Sequence, residues 1–371
     1  MTAKSMHLVR KIGSGLVAAV LCLAVLPAES TAQTKTWADG SDARPTSDDL
    51  IPKLHSAEAY SERYGLLARL DGGGKVKINF TISNLGWSDA KGAAQVVVKM
   101  PGEDKYKFKK KVNKGDWSYS KKNFKLDIAD TVIESKGKRK FELRHDGKVK
   151  VRLTMTSDTP MWSPGRGRLD VGDGYMKINM FALRSTAKGK VKIGGEWREV
   201  KSTRGAYGDH VSTNIAPYDL ATRFSKARVY DDENDVFFLW REIKLTEDNG
   251  GDSITWMMVG YKDKIVFSDP DAEIKFGKVR KDKVGYEIPY AVQLEGKDGE
   301  DKVKLVMRAK KMRRTDLLKS YGNLVRMVAS SVSKPFNYNF RCEYALEMQI
   351  QGAKATVRGK GGYVVDYLNK E

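Results

Sequence analysis

Asp209-His210, inside the stretch from Gly205 to Phe224, pairs a carboxylate with an imidazole. An imidazole changes charge near neutral pH, and a neighbouring carboxylate can orient it, so the pair has the makings of a general acid or base. Adjacent residues on a strand point to opposite faces, however, so the two can act together only where the chain turns. A polar contact beside a Gly-rich bend accounts for them equally well. Other chemistries find little footing. Residues 33–371 hold three histidines (His55, His145 and His210) and a single cysteine, Cys342, in none of the zinc spacings, so no metal is expected. Gly165-Arg166-Gly167 and Gly359-Lys360-Gly361-Gly362 are Gly-rich and basic, yet neither sits between a strand and a helix as a phosphate loop must. No Ser nucleophile elbow is present and no cofactor is expected.

The elements that would position this pair are strands. Val76, Ile78, Phe80 and Ile82 alternate with Lys77, Asn79 and Thr81, the period of a strand with one buried face. Phe124-Leu126-Ile128, Val149-Val151-Leu153-Met155 and Met176-Ile178-Met180 repeat it, separated by turn residues such as Asp71-Gly72-Gly73-Gly74 and Gly194-Gly195. Many short strands at regular spacing predict a barrel or sandwich, without βαβ alternation. One helix interrupts them near 316–330, where Leu317, Leu318, Tyr321, Leu324, Val325 and Val328 recur at offsets of three and four. A long strand follows, with Phe336, Tyr338, Phe340, Cys342, Tyr344, Leu346, Met348 and Ile350 on one face. Cys342 on that face reads as a small core residue.

The aromatic stock, Trp87, Trp117, Trp162, Trp197, Trp240 and Trp256 together with Tyr and Met, could line a pocket for an apolar ligand, or fill ordinary barrel core. The candidate ligand-binding residues are Tyr207, His210, Trp240, Trp256, Tyr338 and Phe340.

Residues 1–32 read as an export signal: Lys4, Arg10 and Lys11, then an apolar run from Ile12 to Leu26, then the small residues Ser30-Thr31-Ala32. Removal of this segment takes a net +2 from the +20 of the whole chain and leaves +18. No other apolar stretch approaches the ~20 residues of a membrane span. One cysteine cannot close an internal disulfide, so an exported fold must rest on its core. Residues 33–58 form a polar arm. Two β-rich halves follow, at 59–204 and 205–371, within the usual ~100–200 residues per domain. The lysines alternate with apolar residues, as in Lys75-Val76-Lys77-Ile78, Lys148-Val149-Lys150-Val151 and Lys302-Val303-Lys304-Leu305. That is the wet face of a half-buried sheet, and with an export signal it argues against nucleic acid as partner.

Three stretches carry a family resemblance. Phe80-Thr81-Ile82-Ser83-Asn84-Leu85-Gly86 is followed by Asp116-Trp117-Ser118-Tyr119-Ser120-Lys121, and then by the block from Gly205 to Phe224 with His210, Pro217, Ala221, Arg223 and Phe224. Together they resemble the double-lipocalin-like superfamily of fungal oxidative-stress survival factors and bacterial carotenoid 1,2-hydratases. The resemblance implies an all-β fold of two consecutive lipocalin-like antiparallel barrels. It also implies lipid binding in one branch and addition of water to an isoprenoid double bond in the other, with Asp209 and His210 as the acid. Val211-Ser212-Thr213-Asn214 departs from the hydratase branch. The main expectation is therefore an exported binding protein, periplasmic or secreted, for a lipid or other apolar small molecule, acting near an anionic membrane surface. Two alternatives stand beside it: a hydratase or isomerase using Asp209 and His210, and a polyanion-binding structural protein.

Overall fold

The computed structural model describes residues 34–368, apart from 40–43, 86–88, 138 and 321–334. The export-signal segment, Gly86, Trp87 and most of the expected helix near 316–330 lie outside these residues; Leu317–Ser320 is a short 3-10 turn.

The strand alternation in the sequence becomes two antiparallel sheets. The first holds β1 (Ser61–Arg69), β2 (Lys75–Ser83), β3 (Lys91–Lys99), β4 (Tyr106–Val112), β5 (Ser118–Tyr119), β6 (Lys125–Ile128), β7 (Thr131–Ser135), β8 (Lys140–Asp146), β9 (Lys150–Ser157), β10 (Arg168–Val171), β11 (Gly174–Ile193) and β12 (Glu196–Thr213). Its order is β4-β3-β2-β1-β12-β11-β9-β8-β7-β6-β5, with β10 on β11. The second holds β13 (Ala221–Asp231), β14 (Val236–Leu245), β15 (Ser253–Tyr261), β16 (Lys264–Asp269), β17 (Glu273–Lys281), β18 (Glu287–Asp298), β19 (Asp301–Asp316), β20 (Phe336–Ile350) and β21 (Ala353–Tyr367). Its order is β16-β15-β14-β13-β21-β20-β19-β18-β17.

Each sheet curls around its own core, as a lipocalin-like barrel does. Val76, Ile78, Phe80 and Ile82 face the first core; Phe238, Trp240, Tyr338 and Phe340 face the second. Each fully buried side chain of this size contributes roughly 2 kcal/mol. Cys342 belongs to the second core, where burial pushes its thiol up to about 12, far from reactivity at neutral pH.

The passage between sheets differs from the expected 204/205 boundary. Residues 205–213 are the second half of β12 in the first sheet, and the chain crosses over at Asn214–Leu220. The glycines that suggested a bend serve close packing instead. A Cβ on Gly208 would sit 2.3 Å from the Phe181 ring, so glycine here lets an aromatic ring lie on the strand. The Pro-x-x-x-Ala-x-Arg motif proves architectural too. Pro217 opens a single helical turn, and Arg223 pairs at 2.8 Å with Glu242, which has no exposure, while its guanidinium lies over the Phe276 ring.

The two sheets share a third core, in which Met176, Met180, Leu183 and Tyr207 meet Leu220, Phe237, Leu239 and Trp256. Arg184 of β11, 4% exposed, clamps the contact by donating to the carbonyl oxygens of Asp235 and Lys262 at 3.0 Å each and pairing with Asp232.

Candidate active site

Strand geometry separates the two residues that sequence placed together. His210 opposes Tyr64 of β1 and faces the interior of the first sheet; Asp209 opposes Gly65 and faces the second sheet. They stand on opposite sides of β12 and cannot share a proton.

On the interior side, His210 Nε2 lies 3.1 Å from Glu62 Oε2, and the imidazole stacks on Tyr64 with centroids 4.3 Å apart. Burial pushes the Glu62 carboxyl up, but His210, the Lys53 backbone N–H at 2.8 Å and the Tyr64 hydroxyl together hold it below its ordinary value. The acid is therefore ionised and accepts the Nε2 proton. The Lys53 contact ties the N-terminal arm across the end of the sheet, beside a cleft of about 500 Å³ lined by Asp49, Lys53, Glu62, Lys177, Asn179 and His210 among others. Glu62 went unnoticed in the sequence, although it lies in the inward phase of Tyr60, Tyr64, Leu66 and Ala68.

The larger cleft, about 820 Å³, opens between the two sheets. From the first sheet come Arg63, Arg69, Lys75, Lys77, Tyr207 and Asp209; from the second come Phe224, Lys226, Arg228, Arg241 and Trp256. Met176, Met180 and Leu239 make its apolar wall. Asp209 anchors Arg63 at 2.9 Å, and Gly65 makes that contact possible, since a Cβ there would meet both side chains at 2.4 Å. Burial raises the Asp209 acid, but the Arg63, Arg241 and Arg228 guanidiniums overcome it and hold the carboxyl below its ordinary value. Asp209 is thus a fixed anion at neutral pH, unsuited to donating a proton. Tyr207 contributes a phenol pushed up by burial and by Asp209, with Arg228 stacked 3.7 Å over its ring.

Lys226 of β13 lines the cleft as well. Crowding by protein drives its ammonium down to about 8; Asp366, 3.8 Å away, opposes the shift, while Arg241 and Arg63 reinforce it. Its side chain keeps 49% exposure, so it stands in a slot open to water and solvent screens part of this effect. Sequence reasoning passed over Lys226 because it reads as one more lysine on a wet strand face. Only the approach of β1 and β12 from the other sheet makes it different.

Of the ligand-binding residues expected from sequence, Tyr207, Trp240 and Trp256 line this cleft. His210 lines the smaller one. Tyr338 and Phe340 line neither: Tyr338 donates to Asp282, and Phe340 stacks on Tyr363 at 4.4 Å inside the second core.

No family model matches the chain, and no curated protein matches it. Solved structures do. An AttH-like protein from Nitrosomonas europaea matches at 12% identity and TM-score 0.53, over 89% of this chain and 98% of its own. CghA matches at 11% and 0.55, over 90% of this chain and 95% of its own, and has also been solved with Sch210972. Kievitone hydratase from Nectria haematococca matches at 10% and 0.49, over 90% and 98%. The main functional expectation is corrected at this point. The aromatic face on which a lipid-binding barrel rested is packed core, with Tyr338 and Phe340 inside it. At these identities the likeness is one of fold: the chain has the double-lipocalin-like fold that its sequence resemblance implied.

Proposed function

We propose that the protein is an acid–base enzyme of the hydratase or isomerase kind, with its chemistry in the inter-sheet cleft rather than at His210. The observation that carries this reading is Lys226, an amine pushed down to about 8 beside an apolar wall in the cleft between the sheets. A proton-transfer group works best when its pKa lies near the working pH, and tuned groups in large clefts are the first candidates for catalysis.

The surrounding charge selects the reaction. Protonating an isolated alkene makes a carbocation, which the Arg63, Arg228 and Arg241 guanidiniums would repel. Adding water across a double bond conjugated to a carbonyl makes an enolate, which they would stabilise. In that step the water oxygen bonds to the β-carbon and the π electrons move onto the carbonyl oxygen, near Arg63. The Lys226 ammonium gives its proton to the α-carbon, and the proton lost by the water restores the ammonium. Asp209 positions Arg63. A double-bond shift would start instead from the neutral Lys226 amine, which takes a proton from the carbon beside the double bond to leave a dienolate held by the same guanidiniums and returns that proton at the other end of the system. Either way, this reading replaces an isolated isoprenoid alkene with a conjugated carbonyl substrate. Export of the chain, read from residues 1–32, remains part of the proposal, and an N-terminus after Ala32 on protein recovered from outside the cytoplasm supports it.

The test is a panel of amphiphilic enones and enoates incubated in isotopically labelled water and followed by mass spectrometry. Wild type should introduce label at the α- or β-carbon of at least one compound, and Lys226→Met should not. Wild type matching buffer across the panel would discard the reading.

A further inference from the structure

The cleft carries more positive charge than it neutralises. Of its seven cationic side chains only Arg63 and Lys226 have an ion-pair partner among the described residues, Asp209 and Asp366. Arg241 is the sharpest case. It faces Lys226 across the β13–β14 pair and Trp256 across the β14–β15 pair, so two cations stand directly opposite each other in one cross-strand row. Like charges so placed repel. Three donors in this corner also lack acceptors among the described residues. Arg241 has no hydrogen bond or ion pair, Arg228 Nε is buried without a partner, and Trp256 Nε1 is buried without a partner in a side chain 2% exposed. Buried donors left unpaired cost free energy that an acceptor would recover. Burial also pushes the Arg241 guanidinium down, a stress that a bound anion would relieve. Beside this corner the wall is apolar, formed by Met176, Met180 and Leu239.

We infer that the cleft binds an organic anion with an apolar body, its carboxylate or equally charged group held by Arg241, Arg228 and the Trp256 indole N–H, and its chain along the methionine wall. The inference rests on the proposed activity for its meaning as a substrate class, since a permanent anion there would set the reacting carbons beside Lys226. As a binding claim it stands by itself. A bound anion also brings negative charge next to Lys226 and should move that amine's midpoint upward from about 8.

The experiment is calorimetric titration of the full chain at low ionic strength with decanoate, decanol and inorganic phosphate, repeated on Arg241→Met, Arg228→Gln and Lys226→Met. Thermal unfolding serves as a control for folding. Wild type should bind decanoate one to one and at least about tenfold tighter than decanol, the worth of one charge-assisted contact. Arg241→Met and Arg228→Gln should each remove most of that advantage and leave decanol unchanged, so either variant suffices if the other fails to fold. Equal binding of decanoate and decanol overturns the anion site. Phosphate binding as tight as decanoate overturns the amphiphile in favour of a simple inorganic-anion site. Lys226→Met should keep the preference for decanoate, whereas wild type that binds decanoate yet labels no compound of the panel would sink the enzyme reading and leave this one standing.

Discussion

The two faces of β12 make the most instructive contrast in the molecule. His210 and Asp209 are one residue apart, yet one lies inside the first sheet and the other in the cleft between sheets. On the interior face an ionised Glu62 meets His210, Tyr64 and the Lys53 backbone beside the smaller cleft, with only His210 Nδ1 of this group buried and unpartnered among the described residues. The cleft face is open and unbalanced, with five cations lacking ion-pair partners among the described residues and one lysine driven toward neutrality. Satisfied polar groups hold structure together, whereas frustrated ones remain available to a ligand. The interior pair is accordingly assigned to stability and the cleft to chemistry.

Each variant below attacks that division from one side, in order of effect. Lys226→Met should lower kcat/KM on a labelled substrate by ~10²-fold or more, as removal of a general acid does, whereas His210→Gln should leave kcat/KM within a fewfold. A collapse of turnover in the histidine variant with the lysine variant active would invert the assignment. Glu62→Gln should cost about 3 kcal/mol in urea unfolding, because it breaks a buried pair, and should leave the turnover of the folded fraction intact. Gly208→Ala should cost about 1–3 kcal/mol by driving Phe181 off the strand, again without a change in cleft chemistry. Asp209→Asn should act on the other face, raising KM by about tenfold as Arg63 loses its anchor and also lowering the unfolding midpoint, because a carboxyl held below its ordinary value stabilises the fold at neutral pH.

The smallest effect is a pH slope with a definite sign. Lys226 has a folded-state value near 8 against an ordinary value near 10.4, so between these the unfolded chain binds more protons. Stability should therefore rise with pH across that window, and Lys226→Met should flatten the rise while stabilising the protein at pH 7. Glu62 gives a slope of the same sign in the acid range. Its folded value is depressed, so its contribution is present above the ordinary carboxylate value and lost as pH falls through the folded one.

Much of the fold was legible because a buried sheet face forces period-2 alternation. Val76 to Ile82 and Phe336 to Ile350 show it without help from tertiary structure. The resemblance around His210 and Arg223 led to the correct fold, although Arg223 itself is a buried partner of Glu242 rather than part of a site. The sheet boundary was misplaced because glycine has two uses. Gly205 and Gly208 look like a bend in one dimension, while in space Gly208 makes room for Phe181. The same limit hid the cleft. Lys75 and Lys77 alternate with apolar residues just as Lys148 and Lys150 do, and only the second sheet turns the former pair into a cleft wall. Alternation reports which face a residue occupies, not what stands opposite it.

The measurement that reaches the central claim most directly needs no substrate. Amine acylation of the folded chain, resolved by site with mass spectrometry across a pH series, would report the midpoint of Lys226 beside those of the surface lysines. The account predicts half-maximal labelling of Lys226 near pH 8, with the midpoint rising when decanoate is present. A Lys226 midpoint above 10, indifferent to decanoate, would contradict it.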